Sequence, residues 1–242
     1  MNCVADISVF YDDENAIAGS ETGEALRDII ENDPETADLL AKDMADTLNH
    51  GIVVSMLARS VAKNLKASEE FTYRMAVAGL MHDIGKLQIA HYLYGHEDGT
   101  LRIEEIKYIR MHSRIGYEIL KKNGYDDIIT ESVLHHHENF DGSGYPDNVK
   151  GLSIPFGARI LRVCDVFSAL VSERQYRRAY PPEVAVKILI DEVKNFDMRC
   201  FLALQKSVNS PEFKEVLDVI ENQNRQYSRV RPLQNDLNLD LW

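Results

Sequence analysis

DPETADLLAKDMADTLNHGIVVSMLARSV, residues 33–61, is the stretch on which the fold turns. Asp33 is placed to cap a helix whose first turn holds Pro34, where a missing N–H costs nothing. Beyond it Leu39, Leu40, Met44, Leu48, Ile52, Val53, Met56, Leu57 and Val61 recur at helical spacing. Working outward, Ser68-Glu69-Glu70 opens a second helix through Tyr73, Val77 and Leu80 that ends near Gly85. The same periodicity predicts helices over 103–122, 126–138, 155–173, 181–195, 198–207 and 211–223, and a helical patch near Leu26, Ile29 and Ile30. Alternating strands are missing, so the expected fold is all-α. The acidic residues 1–33 read as largely irregular and 225–242 as a loosely ordered polar tail.

The 242 residues are 45% hydrophobic and 27% charged, which suffices for a sizeable core. A formal net charge of −12 argues against a duplex DNA or RNA partner, which calls for a basic stripe. A small phosphate ligand remains compatible if metals or a local group of Lys and Arg invert the field. The most apolar run, Ile154 to Val171, is interrupted by Arg159, Arg162 and Asp165, so no membrane span is expected. The N-terminus lacks the basic and apolar regions of a secretory signal. Cys3, Cys164 and Cys200 form no CxxC, which disfavours a disulfide framework or zinc ribbon. The expectation is a soluble, cytoplasmic protein.

The histidines carry the chemistry. Of eight, His82 is followed by Asp83 and, beyond a helix end, by Lys86; His50 lies four residues after Asp46, on one helix face. Each feature alone reads as a capped helix end or a surface pair. The stretch His136-His137-Glu138-Asn139-Phe140-Asp141-Gly142-Ser143-Gly144-Tyr145-Pro146 is different in kind. Adjacent histidines at a helix end project about 100° apart and can serve two neighbouring ions. The Gly- and Pro-containing run after them must leave the helix as a structured loop.

His82-Asp83-Ile84-Gly85-Lys86 and His136 to Pro146 resemble the two signatures of the HD-GYP phosphodiesterases, a subgroup of the HD metallohydrolases. Family-like segments also occur at Asp46–His50, Met111–Gly116, Ile154–Ile160, Asp165–Leu170 and Ser172–Arg177, so the resemblance covers about 45–205. It implies an HD-superfamily helical bundle, 45–207, between an N-terminal extension, 1–44, with a regulatory or dimerising role, and a C-terminal helix and tail, 208–242. It implies hydrolysis of cyclic di-GMP to linear pGpG or GMP by metal-bound hydroxide, in bacterial second-messenger signalling. The metal ligands implied are His50, His82, Asp83, His112, His136, His137 and Asp165, with Asp83 bridging two ions. Asp46 stands where three-metal members reach a third ion. Asp83 and Lys86 are implied in catalysis, and Lys86, Arg174 and Arg177 near substrate phosphates. Gly142, Gly144, Tyr145 and Pro146 are implied in the loop lining the site, which in the family also meets GGDEF-type diguanylate cyclases; another signalling protein or a second copy of the chain is the alternative partner. Imidazole and carboxylate donors without cysteine suit Fe or Mn, with Zn also accepted. Two such ions acidify water and stabilise phosphate charge, while Lys86 and the arginines neutralise phosphate oxygens. Glu138 and Asp141 read as residues that orient the ligands.

The chain also departs from the family pattern. Asp46 is a methylene shorter than the usual Glu, which favours two ions over three. Ser168 stands where a second carboxylate is usual, and Gln175 replaces a usual Pro. The segment 88–99 reads as an altered loop, with His91 and His96 as exposed extras; His135 reads as outside the ligand set. These changes keep two alternatives open: a non-hydrolysing cyclic-dinucleotide receptor, and an HD phosphohydrolase acting on another nucleotide.

Overall fold

In the computed structural model the described residues are 34–93, 109–174 and 177–230. They are all-α: among them the only pairing of extended backbone is one isolated bridge between Arg174 and Arg177. The periodic stretch forms α1, Pro34–Asn64, and it buries Val53, Val54, Leu57, Ala58 and Val61 completely. The helix runs unbroken through residue 44, where the extension was expected to meet the bundle, and Leu40 is already buried. Asp33, the patch near Leu26 and the rest of 1–33 lie outside the described residues.

Helix α2, Glu69–Met81, starts where expected: Ser68 Oγ accepts the Phe71 N–H at 3.2 Å, and Glu69 and Glu70 face the positive end of the helix dipole. It packs along α1, close enough that a Cβ on Gly79 would lie 2.8 Å from the Ser55 Cα. Helix α3, Lys86–Leu93, corrects the loop expected from residue 88: 88–93 are helical, while 94–99 and His96 lie outside the described residues. Its first turn is nucleated by Lys86 N–H to Asp83 O at 2.9 Å, and Ile89 is buried.

Helix α4, His112–Lys122, is the described part of the predicted 103–122 helix. Helix α5, Asp127–Leu134, is capped by Asp126, which accepts the Ile129 N–H at 3.1 Å. It stops short of the predicted end at 138, because the Val133 carbonyl takes the His136 Nδ1–H at 2.6 Å where a continuing helix would take a backbone N–H. The central helix α6, Phe156–Val171, has 12 of its 16 residues buried, which explains its nearly continuous apolar reading. Helices α7, Pro182–Asp191, α8, Met198–Val208, and α9, Phe213–Val230, complete the bundle. Here the expected tail is corrected over 225–230: α9 continues past residue 223 and docks through Gln223 to Asn49 O at 3.0 Å and Asn224 to Val171 O at 2.9 Å. Phe213, Val216 and Ile220 of α9 join the same core as α1 and α6. No helix among the described residues is long and apolar enough to cross a membrane.

One buried ion pair braces the side of the bundle that carries the histidine loop. Arg159 Nη1 donates to Asp197 Oδ2 at 2.6 Å, and Asp197 also caps α8 through the Arg199 N–H at 2.8 Å. Two residues earlier, the Asn195 carbonyl accepts the Phe140 N–H at 2.9 Å and so ties down the loop after the histidines. Asp197→Ala strands the buried Arg159 guanidinium and should lower the unfolding free energy by about 3 kcal/mol at neutral pH. Burial raises the Asp197 pKa, but the Arg199 N–H, the Arg199 side chain and Arg159 together hold it below the ordinary 3.8. Its contribution is therefore present above pH 3.8 and fades as the pH falls further, through the folded value. Urea unfolding of both proteins should show a gap at pH 7 that narrows at about pH 3; a gap independent of pH would contradict the ion pair.

Candidate metal centre

Three histidines are oriented by the same local device. Each stands three residues after a backbone carbonyl freed at a helix end and donates its Nδ1–H to it: His82 to Gly79 at 2.8 Å, His112 to Ile109 at 2.5 Å and His136 to Val133 at 2.6 Å. A carbonyl only accepts, so Nδ1 carries a proton, and whenever the ring is neutral its Nε2 is left with a lone pair. Those Nε2 atoms point inward. The His112 Nε2 lies 3.3 Å from the His136 Nε2 and 3.1 Å from the His137 Nε2.

The carboxylates complete the arrangement. Asp83 Oδ1 lies 3.3 Å from the His112 Nε2, and Oδ2 lies 3.3 Å from the His82 Nε2 and 2.7 Å from the Lys86 Nζ. Asp165, on α6, places Oδ1 2.8 Å from the His50 Nε2 and 3.7 Å from the His82 Nε2. Two groups able to hold a cation result: Asp83, His112, His136 and His137, and His50, His82 and Asp83. Asp83 belongs to both. Asp165 adjoins the second through His50 and His82. Asp46, one turn before His50, is in neither group, and no third group occurs among the described residues.

The electrostatics suit cations. Burial, reinforced by His82 and His112, pulls the His136 pKa down to about 3; burial likewise takes His112 to about 4 and His137 well below 6.5. These rings are neutral ligands at physiological pH. Burial also works against protonation of His82, but Asp83 and Asp165 outweigh it and raise its pKa to about 10. Asp83 stays ionised despite burial because His82 and Lys86 hold its pKa far below 3.8. The buried His82 Nε2 and Asp83 Oδ1 have no hydrogen-bond partner. Converging imidazole nitrogens and a buried carboxylate oxygen left without a partner are costly, and a divalent ion, displacing the His82 Nε2 proton, would satisfy them. The donor set therefore fits metal ions.

His50 is held differently. Its Nδ1 meets Ser168 Oγ at 3.0 Å, so the residue that replaces a usual carboxylate supports a ligand through a hydroxyl. No local pattern signals this contact, since 118 residues separate the partners. Ser168→Ala should leave the fold intact and weaken divalent-ion binding about tenfold, the low end for loss of such a support. A manganese titration followed by calorimetry checks this; equal affinities would remove Ser168 from the centre.

The loop after the histidines folds back over the site. Tyr145 stacks on the His137 ring at 4.7 Å, with the Arg110 guanidinium 5.2 Å from the Tyr145 ring. Gly144 sits so close to the chain that a Cβ there would lie 2.4 Å from the His137 carbonyl. Pro146 follows Tyr145 in a cis peptide, and Gly142 has φ +89°. Glu138 is buried and accepts the Asp147 N–H at 2.7 Å, which anchors the loop rather than a ligand ring. Asp141 Oδ1 likewise accepts from Ser143 within the loop. His135 is buried beside Glu131, at 3.4 Å, outside both groups.

The two arginines expected near phosphate differ. Arg174 lies within electrostatic reach of His50. Arg177 donates to the carbonyls of Ala169, Leu170 and Arg178 at 2.8–3.0 Å and so closes the end of α6.

Comparison with known proteins gives the same frame. A family model described as "HD domain" matches residues 24–200. The chain is 39% identical over 154 residues to the cyclic di-GMP phosphodiesterase response regulator RpfG of Xanthomonas campestris pv. campestris, covering 62% of this chain and 40% of that protein. It is 32% identical over 164 residues to the 3'3'-cGAMP-specific phosphodiesterase 3 of Vibrio cholerae, covering 67% of this chain and 35% of that protein. The matches thus span about two fifths of these relatives' length. Among solved structures, Bd1817, an HDG"Y"P protein from Bdellovibrio bacteriovorus, shares the fold with TM-score 0.54 at 18% identity, over 84% of this chain and 77% of that one.

Proposed function

This chain belongs to the HD-domain family, and from that premise we propose that it is a metal-dependent phosphodiesterase acting on a cyclic dinucleotide, with cyclic di-GMP as the leading substrate. The observation that carries this reading is Asp83, a single buried carboxylate shared by two groups of imidazoles. A carboxylate in that place suits a pair of ions side by side, the arrangement used for in-line displacement at phosphorus. His50, His82, His112, His136, His137, Asp83 and Asp165 would hold them, and Fe or Mn matches the donor chemistry best, with Zn accepted. When bound, such ions supply Lewis-acid stabilisation of phosphate charge and make water more acidic.

The chain's own residues do the rest. The carbonyls of Gly79, Ile109 and Val133 fix the donor atoms of His82, His112 and His136 in advance, so little reorganisation accompanies ion binding. Lys86 rests on Asp83 at the edge of the site, 41% exposed, and would be in reach to neutralise a phosphate oxygen. Arg174 serves the same purpose at the His50 end. Tyr145 covers His137 and limits water on that side. The first relatives act, by their names, on cyclic di-GMP or on 3'3'-cGAMP, which favours this substrate class and keeps cGAMP as the second substrate.

The test is turnover by protein purified anaerobically and loaded with Fe or Mn, with chromatography of products from each cyclic dinucleotide. Metal-dependent release of linear dinucleotide or mononucleotide is expected, fastest from cyclic di-GMP. Faster turnover of 3'3'-cGAMP would reassign the substrate. Binding of metal and dinucleotide without any hydrolysis would overturn the reading in favour of a receptor.

A further inference from the structure

The arginine that ought to attract an anion is one that neither motif contains. Arg162 lies on α6 one turn before Asp165 and on the same face. Its Nε donates to Asn139 Oδ1 at 3.0 Å, two residues past His137, and Asn139 is itself held by Ser143 Oγ at 3.0 Å. Among the described residues this amide is the guanidinium's only hydrogen-bond partner, and no carboxylate forms an ion pair with it. The other arginine of α6 is otherwise committed, Arg159 to Asp197, and Arg177, beyond the end of that helix, is held by three carbonyls. The Arg162 side chain as a whole is only partly buried, so it is not closed off from solvent. It lies within electrostatic reach of Asp165, Tyr145, Glu192 and His137, none of which forms an ion pair with it. A partly buried cation without an ion pair among the described residues, its orientation fixed from behind by Asn139, is built for an incoming anion.

We propose that Arg162 is a substrate-binding residue whose free Nη groups grip a phosphate oxygen at the His137 end of the metal centre. With Arg174 near His50, it gives the site a cation at either end, as a substrate with more than one phosphate requires. Asn139 is the positioning residue that aims it. This rests on the reading that the site takes a phosphodiester.

The test uses manganese-loaded full chain, with inorganic phosphate as the calorimetric probe and cyclic di-GMP as the substrate. Arg162→Ala is expected to weaken phosphate binding and raise KM about 10- to 100-fold, the range for loss of a charged hydrogen-bond partner. Its kcat should fall less, and its metal content and helicity should match the wild type. Arg162→Lys should recover part of the affinity, as a point charge without the fork. Unchanged phosphate affinity and KM in Arg162→Ala would overturn the inference, as would loss of metal from both variants, which would make Arg162 structural. A wild type that hydrolyses no cyclic dinucleotide yet binds phosphate in an Arg162-dependent way would sink the proposed function and leave the inference standing. A wild type that binds no phosphate would sink the inference as well.

Discussion

Asp83→Asn should retain less than half the wild-type metal and lose about 1,000-fold or more in turnover, because several kcal/mol of transition-state stabilisation depend on the paired ions. The substitution keeps the volume of the side chain and its place in the turn. It removes the one charge shared by both ligand groups. In the metal-free protein that charge balances His82 and Lys86, with His112 close by at 3.3 Å. Among the described residues it is the carboxylate that approaches both His82, just past the end of α2, and His112, at the start of α4, each at 3.3 Å. Elemental analysis and product chromatography read the two losses directly. A thermal melt supplies a third readout: added manganese should raise the wild-type Tm, as any ligand of the folded state does, and leave the variant's Tm nearly unmoved. Full metal content with undiminished turnover would remove Asp83 from the centre.

How much of this arrangement could be read before the structure depends on the range of the interaction involved. The helices were legible because apolar periodicity is a local signal: α6 and α8 begin and end within two residues of their expected bounds, and α1 and α2 begin where their caps predict. The ends of α2 and α5 were harder, since there the histidine rings compete with backbone N–H groups for carbonyls at 2.8 and 2.6 Å. Periodicity does not register that competition. The extension of α9 was hidden for a related reason: Gln223 and Asn224 look like a solvated tail but dock through hydrogen bonds to residues 174 and 53 positions away.

The candidate site shows the same division. His82, Asp83, His136 and His137 stood out through short motifs, and the structure brings them together with His50, His112 and Asp165. What supports them was not legible. Ser168 looked like a lost carboxylate, yet it touches His50. Arg162 looked like an interruption of an apolar run, although its i,i+3 spacing to Asp165 was the available signal. Arg177 carried the pattern expected of a phosphate cation, but which donors are free depends on where helix α6 ends, and that is a tertiary fact.

Gly85→Ala should cost about 100-fold in activity, although the residue offers no side chain to the chemistry. A Cβ at this position would lie 2.0 Å from the His112 carbonyl oxygen, 2.8 Å from its carbon and 2.7 Å from the Gly116 N. All three are backbone atoms of α4, so no rotamer change relieves the clash. The turn carrying His82 and Asp83 must therefore draw away from the helix carrying His112 by about 1 Å, a displacement large enough to cost a factor of about 100 when it separates reacting groups. The Asp83–His112 approach of 3.3 Å is the contact that opens. Overpacking should also remove about 1–3 kcal/mol of stability, so the variant is expected to lose metal and soften together, whereas Asp83→Asn should lose metal with its fold intact. Gly116→Ala provides the graded comparison: its Cβ would meet Val133 Cγ1 at 3.2 Å and Ile84 Cγ2 at 3.3 Å, side chains that can yield, and it should be the milder of the two. If Gly85→Ala kept wild-type metal content and turnover, the close approach of turn and helix would not be what holds the two ligand sets together, and the case for a single shared centre at Asp83 would fall with it.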